Sequence, residues 1–485
     1  MAESEDQEGW LVSLLRVLVP GALSLVLLLV LLKLYILWRT WRQRKIWGYN
    51  CLAFRPVVVG FFHPYCNAGG GGERVLWHSI CALQKRYSFV RCIVYTGDDK
   101  TVKPDRILSN AQDRFGIVLL QDVKFVYLKW RNWVEARRWP RFTLMGQSIG
   151  SILLGMEALM SFAPHIYIDT MGYACTVPLF RWLGGSRAAS YVHYPVVSRD
   201  MLEQVNSRTM AHNNAAWISQ SKFFTKVKLL YYRLFARVYG FVGRRNDVVM
   251  VNSTWTHGHI TELWKNHTIY IVYPPCDTST LVQLPLERPK KTFRIVSVGQ
   301  FRPEKNHKLQ LRVLAEVLRQ LPRDKAGKLC LVLVGSCRNV EDHERVDDLK
   351  HYAGQLGVLN HVQFRIGISF DELQQELAMA TVALHTMWNE HFGIGLVECM
   401  AAGCVMVAHA SGGPLLDIVV HWQGQRTGLL AEDEPAFVSS LLEVLFMSEK
   451  ERTPLVIAAR DSVQAKFSVD VFEASFLRAT EQLFG

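Results

Sequence analysis

The stretch Trp388–Gly403, WNEHFGIGLVECMAAG, decides how the rest of the chain reads. Two glutamates, Glu390 and Glu398, bracket His391-Phe392-Gly393-Ile394-Gly395 and an apolar turn. A glycine-bearing turn that opens a helix presents unbonded backbone N–H groups and the positive end of the helix dipole, a natural cradle for phosphate. A carboxylate on each side of that cradle can hold sugar hydroxyls. The stretch reads as a site for a nucleotide sugar.

Its surroundings are a series of short apolar runs: Arg294–Val298, Leu331–Gly335, Val362–Arg365, Val382–Leu384 and Val405–Ala408. They lack strict alternation and are separated by helical segments, as strands buried on both faces of a parallel sheet are. Gly424–Gly428 reads as a loop before a last strand. Gly299-Gln300-Phe301-Arg302-Pro303-Glu304-Lys305 follows the first run, Arg365-Ile366-Gly367 the third and Ser411-Gly412-Gly413-Pro414 the fifth. Arg302 and Lys305 can reach a diphosphate, arginine by its planar fork and lysine as a point charge. Any one of these cations would more often be a solvated surface charge. Four glycine- or charge-bearing turns after successive strands are harder to dismiss. No D-x-D occurs, so no metal bridge to a diphosphate is expected. Arg302, Lys305 and the amides of Gly393–Gly395 would carry that charge instead.

The other half of the chain opens in a similar way. Pro56–His63 (PVVVGFFH) runs into Asn67-Ala68-Gly69-Gly70-Gly71-Gly72, and Glu73-Arg74-Val75-Leu76-Trp77 begins a helical pattern. Strand, glycine loop and helix open a doubly wound α/β domain. Further strand-like runs are Cys92–Tyr95, Ile166–Ile168, Ala189–Val192 and Val248–Val251. The glycine loop is neither a P-loop nor a dinucleotide fingerprint, because the lysine and the spacing are missing. It reads either as a flexible turn or as a place where Gly69, Gly70, Gly71 and Gly72, with Arg74 beside them, let backbone approach a phosphate or an acceptor sugar. Asp169 and His193 each close a strand-like run, where ligands of open α/β sheets bind. A structural role for either is as common.

At 485 residues the chain holds two or three domains. The boundaries read as an N-terminal tail and anchor over 1–45, an acceptor and membrane-facing domain over 54–285, and a nucleotide-sugar domain over 290–468. A final segment, 469–485, would return to the first domain. Pro285–Lys291 is the polar linker. Ten cysteines without metal-like spacing read as reduced and buried. The sequons at Asn252 and Asn266 matter only in a lumen.

Leu11–Leu32 is apolar except for Arg16, long enough for one bilayer-spanning helix. Glu3, Glu5, Asp6 and Glu8 precede it; Lys33, Arg39, Arg42, Arg44 and Lys45 follow it. The bulk of the chain is then expected on the cytosolic side. The net charge of +12 fits an anionic membrane surface or phosphate-bearing substrates. Nucleic acid is disfavoured, since no binding motif accompanies the charge. Two runs suit membrane contact: Lys124–Phe142, where tryptophans alternate with cations, and Lys222–Arg245. In the second, Phe223, Val227, Leu230, Leu234, Val238 and Phe241 form one helical stripe beside Lys222, Lys226, Arg233 and Arg237. Cations beside an apolar face mark an interfacial helix; the alternative is a domain helix packed on its core.

Over most of residues 56–470 the chain resembles the retaining glycosyltransferases of family four, of GT-B architecture: two Rossmann-like domains facing a cleft. The resemblance rests on E-x7-E (Glu390, Glu398), E-x-F-G, E-x-M-A-x-G, the glycine loop before Glu73-Arg74 and the basic turn Gly299–Lys305. It implies Glu398 on the nucleoside ribose and Glu390 on the donor sugar. It places Phe392, Gly393 and Ile394 along the diphosphate, Arg302 and Lys305 on the leaving group, and His193 beside the transferred sugar; Gly299 and Arg365 join the donor-binding set by their place in the turns after strands. Gln300 stands where the family often has arginine, which makes Arg302 the less secure assignment. Within the family, the anchor, Pro64–Asn67, Ser190–Pro195 and Gly299–His307 resemble the endoplasmic-reticulum branch that assembles the lipid-linked precursor of asparagine-linked glycosylation. That implies GDP-mannose as donor, dolichol-diphosphate-linked Man3GlcNAc2 as acceptor, two α-1,2 additions, and other mannosyltransferases of the same pathway as partners. Open alternatives are a UDP-sugar donor, a phosphoinositide acceptor, or a non-catalytic membrane scaffold of the same fold.

Overall fold

The computed structural model describes residues 2–49, 56–197, 222–266, 268–289 and 292–485. Linker residues Lys290 and Lys291, the expected domain starts at 54 and 290, and the side chains of 2–15, 17 and 222–225 lie outside the description. Two compact units result: Met1–Met250 with Ile260–Ile269 and Ala479–Gly485, and Val251–His259 with Tyr270–Arg478.

The first unit begins with α1 (Ala2–Ile46), much longer than a bilayer requires. Its segment Leu18–Ile46 is the single helix among the described residues long and apolar enough to cross a membrane. Most large apolar side chains from Leu18 to Leu34 are exposed, whereas Ile36 and Thr40 are buried. Thr40 Oγ1 accepts the Ala163 N–H at 2.9 Å. The helix therefore docks its last turns on protein, with Leu32 already packed against the core, while most described apolar side chains from Leu18 to Leu31 are exposed.

Along the chain follow β1 (Val57–Phe62), α2 (Gly71–Arg86), β2 (Val90–Thr96), α3 (Pro104–Phe115), β3 (Lys124–Tyr127), α4 (Thr143–Ser161), β4 (Ile166–Asp169), β5 (Arg187–Val192), α5 (Lys222–Gly243), β6 (Val248–Val251), α6 (Thr254–Trp264) and β7 (Ile269–Ile271), of which the first half of α6 and the end of β7 are counted with the second unit. The strands form one sheet in the order β3-β2-β1-β4-β5-β6-β7. β1 pairs in parallel with β2 on one side and β4 on the other. The edge strands β3 and β7 are short and only half-buried, so no continuous apolar run announced them. β3 lies inside the run read as one membrane-facing segment. That run is divided. After β3 come two single turns in which Trp139 Nε1 donates to the Trp133 carbonyl at 2.7 Å, while Trp130 and Phe142 remain exposed.

The second unit contains β8 (Phe293–Val298), α7 (His307–Gln320), β9 (Leu329–Gly335), α8 (Val340–Gln355), β10 (Val362–Ile366), α9 (Phe370–Met379), β11 (Val382–His385), α10 (Ile394–Ala401), β12 (Val405–His409), β13 (Gly428–Ala431), α11 (Glu434–Phe446), α12 (Glu449–Phe467) and α13 (Val469–Thr480). Its strand order is β10-β9-β8-β11-β12-β13, with parallel pairing throughout. Successive side chains go to opposite cores: Val405 and Val407 to one, Met406 and Ala408 to the other. Burial on both faces is why these runs show no alternation.

Both sheets reverse their strand order beside their first strand, between β1 and β4 and between β8 and β11. Ligands of doubly wound sheets bind beyond the carboxyl ends of strands at such a reversal. The second sheet is tight there. A Cβ on Gly335 would stand 2.0 Å from the Gly299 carbonyl oxygen. Gly335→Ala should therefore cost about 1–3 kcal/mol through overpacking, read as a clear fall in Tm. An unchanged Tm would show that the carbonyl can retreat.

Candidate active site

The second sheet assembles its group at the reversal. The turn after β8 carries Lys305, β11 ends in His385, and the loop before α10 carries Glu390. Lys305 Nζ lies 2.5 Å from Glu390 Oε2. His385 Nε2 lies 3.2 Å from the same oxygen. Burial works to raise the Glu390 carboxyl, but His385 and Lys305 outweigh it and hold it well below the usual carboxylate range. His385 is pushed down by burial, against the pull of Glu390. At neutral pH the Glu390 carboxyl is therefore ionised and the His385 imidazole neutral. Thr386 Oγ1 donates to the Lys305 carbonyl at 2.9 Å and fixes that turn from below.

The neighbouring turns close on the Glu390 loop. Gly393, at φ +113, is the cap of α10; Glu390 precedes that cap and Glu398 lies within the helix, in its second turn. Gly413 N–H donates to the Glu390 carbonyl at 2.7 Å, and Ser411 Oγ accepts the Asn389 N–H at 2.8 Å. A Cβ on Gly412 would meet the Glu390 carbonyl at 2.3 Å. The turn following β12 is thus pressed against the loop following β11. Gly299 sits beside the Lys305 stem, 3.4 Å from its Cδ by the same construction. Arg302 Nη1 lies 3.6 Å from Glu304, and its Nε is buried without a hydrogen-bond partner, which suits an anionic ligand.

Other expected residues lie differently. The Phe392 ring is core, stacked on Tyr273 at 5.8 Å and edge-on to Phe467 at 5.2 Å, so its backbone alone is left for a ligand. Ile394 is half-buried in the first turn of α10. Arg365 is engaged elsewhere, its Nε 3.0 Å from Glu376 on the sheet edge. Among the described residues no cluster of three His, Cys, Asp or Glu could hold a metal ion.

The reversal in the first sheet gathers a second group. His63, just after β1, has Nδ1 2.8 Å from Thr170 Oγ1 and Nε2 3.9 Å from Glu73 Oε1. Burial would raise the Glu73 carboxyl; His63 and the Gly70 amide lower it overall. His193 Nε2 lies 3.1 Å from the Thr170 carbonyl, so Nε2 carries the proton and Nδ1 is the acceptor. Burial, with His63 nearby, pushes His193 down to about 4. A Cβ on Gly72 would come 3.6 Å from His193 Nε2, which places the end of the glycine loop over the imidazole. Gly69, Gly70 and Gly71 lead into α2, and the Arg74 guanidinium lies over the Phe115 ring. His63, Glu73, Thr170 and His385 were not singled out from sequence. His385 had a usable signal: like His193, it directly follows a strand-like run.

Two doubly wound units, the second with its paired glutamates about a glycine-capped helix, define the class as GT-B glycosyltransferases. Residues 284–461 match the family "Glycosyl transferases group 1" and residues 56–264 the family "ALG11 mannosyltransferase N-terminus". Named "GDP-Man:Man(3)GlcNAc(2)-PP-Dol alpha-1,2-mannosyltransferase", the Mus musculus relative is 52% identical over 92% of this chain and 91% of its own. The Homo sapiens relative of that name is 50% identical over 96% and 95%. The chain belongs to this mannosyltransferase family. Among solved structures, Anabaena HepE with UDP and glucose superposes with a TM-score of 0.58 at 14% identity, covering 88% of this chain and all of that one (100%). Thermosynechococcus elongatus sucrose-phosphate synthase gives 0.61 at 17%, covering 88% and 99%.

Asp169 ends β4 fully buried, with Oδ2 unpartnered. Burial, opposed by the amides of Met171, Gly172 and Tyr173, pushes its carboxyl from 3.8 up to about 7. Between those values the folded chain binds the extra proton, so stability is highest below the lower value and is lost as pH rises through the upper one. Asp169→Asn mimics the protonated acid. It should raise Tm at about pH 8 but not at about pH 4. An equal Tm difference at both would show that Asp169 does not titrate in this range.

Proposed function

We propose that the chain is a retaining α-1,2-mannosyltransferase that moves mannose from GDP-mannose to dolichol-diphosphate-linked Man3GlcNAc2, adding the fourth and fifth mannoses. One observation carries the reading: the buried Lys305–Glu390–His385 group stands at a strand-order reversal in a chain half-identical to relatives of that name. Glu390 holds hydroxyls of the donor sugar. Glu398 holds the ribose. The amides of Phe392, Gly393 and Ile394, together with the Gly299 turn, face the diphosphate. Lys305 and Arg302 stabilise its charge as the sugar leaves through an oxocarbenium-like transition state, preorganised positive charge being the largest protein contribution. The acceptor hydroxyl then attacks the same face. No side-chain nucleophile and no metal is assigned a role. His193, a neutral imidazole under the glycine loop, lies on the acceptor side. The domain assignment follows: residues 54–285 serve the acceptor and membrane, and residues 290–468 the nucleotide sugar.

The purified protein, given labelled GDP-mannose and short-chain lipid-diphosphate Man3GlcNAc2, should add two α-1,2-linked mannoses by linkage analysis. Transfer from a UDP-sugar alone, or none, would overturn the reading. Lys305→Ala should lower kcat by a factor on the order of 10² to 10³, and Glu390→Ala should impair kcat/KM for the donor. His385→Gln, whose amide can donate to Glu390, should retain more activity than His385→Ala; equal losses would remove His385 from its positioning role.

The membrane reading places α1 across the endoplasmic-reticulum bilayer and the rest in the cytosol, from the acidic and basic flanks of α1. Protease protection of a C-terminal tag in sealed microsomes would refute it. The α5 stripe Val227, Leu230, Leu234, Val238 and Phe241 is 47–67% exposed, while Phe235, Tyr239 and Val242 face the core. That exposure supports the interfacial reading over the core-packed one; Phe223 lies outside the described side chains. In nanodiscs, a fluorophore on Leu234→Cys should be quenched by lipid-borne quenchers, and one on exposed Val340→Cys should not. Equal quenching would refute the contact.

A further inference from the structure

The first unit holds a cavity of about 250 Å³ between α4, the loop after β4, the loop after β5 and α5. Its walls include Ser148, Ser151, Cys175, Val196, Phe235 and Tyr239. Sites that take a whole ligand usually measure about 300–1,000 Å³, so this one suits part of a larger molecule. No lining residue is charged, which makes it a poor place for a diphosphate. Apart from the Tyr239 hydroxyl, which is buried without a hydrogen-bond partner, its serine and glutamine groups are engaged within the protein. Ser148 Oγ donates to the Leu144 carbonyl at 2.8 Å and Ser151 Oγ to the Ser148 carbonyl at 2.7 Å. Gln147 Nε2 donates to the Val134 carbonyl at 2.8 Å. Sugar recognition needs several free donors and acceptors, whereas a wall of rings and methylenes with a single free hydroxyl is better matched to hydrocarbon.

Both helical walls continue into exposed apolar surface. On α4 the residues following Leu144, Ser148 and Ser151 are Met145, Ile149 and Ile152, all exposed. On α5 the residues preceding Phe235 and Tyr239 are Leu234 and Val238, also exposed. One residue along a helix is a turn of roughly 100°, so each helix carries the cavity wall and an exposed apolar stripe side by side. α1 packs against α4 in the same unit. The loop Met171–Cys175 begins two residues beyond Asp169, next to the Thr170 carbonyl that His193 touches.

We propose that this cavity takes the diphosphate-proximal isoprenoid segment of the lipid acceptor, entering from the bilayer-facing side of α4 and α5. This rests on the acceptor reading given above. Held there, the hydrocarbon sets the depth at which the acceptor's head group emerges near His193.

The test uses the full-length protein in nanodiscs. Man3GlcNAc2 diphosphate is supplied on a phytanyl chain or on a methyl cap. Ser151→Phe, which fills the cavity, should raise KM for the phytanyl acceptor about tenfold, the loss of a few buried methylenes. KM for GDP-mannose and for the methyl-capped acceptor should stay unchanged. A diazirine on the first isoprene unit should label Met171–Cys175 or α4 in the unaltered protein, whether or not the variant folds; a diazirine on the glycan should not. An unchanged phytanyl KM in a folded variant, isoprene labelling elsewhere, or glycan labelling of the loop would overturn the proposal. Absence of transfer to any acceptor would instead sink the mannosyltransferase reading.

Discussion

A carboxylate buried at the end of a parallel sheet is tolerable only if donors or positive charge meet it, and Glu390 has the Lys305 hydrogen bond and the His385 ring beside it. Lys305 and His385 converge on a single oxygen. Removing one partner of such a buried pair typically costs about 3–5 kcal/mol, mostly because a charge is left uncompensated. The surrounding architecture serves that constraint. Thr386 pins the Lys305 turn, the β12 turn pins the Glu390 backbone, and the strand-order reversal brings the end of β8 beside the end of β11. A Lys305 already bound to Glu390 cannot give its full charge to a second anion. On the proposed reading, a donor diphosphate would compete for it, and His385 would be the neighbour left beside Glu390 if Lys305 were drawn away. An uncharged second neighbour suits this, because it costs no repulsion when the lysine moves.

The second unit was legible because its strands are buried on both faces and its turns carry chemistry. Every strand-like run from Arg294 to Ala408 corresponds to a strand within one or two residues at each end. The site was legible only where residue type and spacing coincide. E-x7-E announces Glu390 and Glu398, but nothing local announces that His385 shares Glu390, because that contact depends on a strand's end and a loop meeting in space. Arg365 shows the converse. Its position after a strand is right for a ligand, yet Glu376 on α9 reaches it first. Phe392 belongs to the motif through its backbone, while its ring answers to the core.

The first unit was less legible, and the reason is its surface. β3 and β7 are edge strands without a two-faced core, so propensity had little to show. The aromatic and basic residues around them resemble a membrane face in sequence, yet some satisfy one another: Arg138 lies over Trp133 at 3.9 Å, and Trp133 faces Trp139 at 6.0 Å. On α5 the ambiguity ran the other way. A helical apolar stripe fits a core or a bilayer equally well, and only its exposure separates the two. The helix has apolar residues on both sides, and the core took the side of Phe235, Tyr239 and Val242.

That division of α5 also limits what it can do. A helix packed through Phe235, Tyr239 and Val242 cannot rotate to bury Leu230 and Leu234 without exposing larger rings, so the outward stripe is fixed by the inward one. α1 imposes a similar constraint from its own end. Thr40 ties its last turns to Ala163, and exposed leucines begin within two turns of that bond, at Leu34 and Leu37. A bilayer that covers those leucines has its surface no more than a few turns from α4, each turn being about 5.4 Å. The apolar faces of α4 and α5 then need no separate membrane-targeting signal. A spanning α1 would already hold their unit at the surface, and the faces would only have to lower the cost of lying on it.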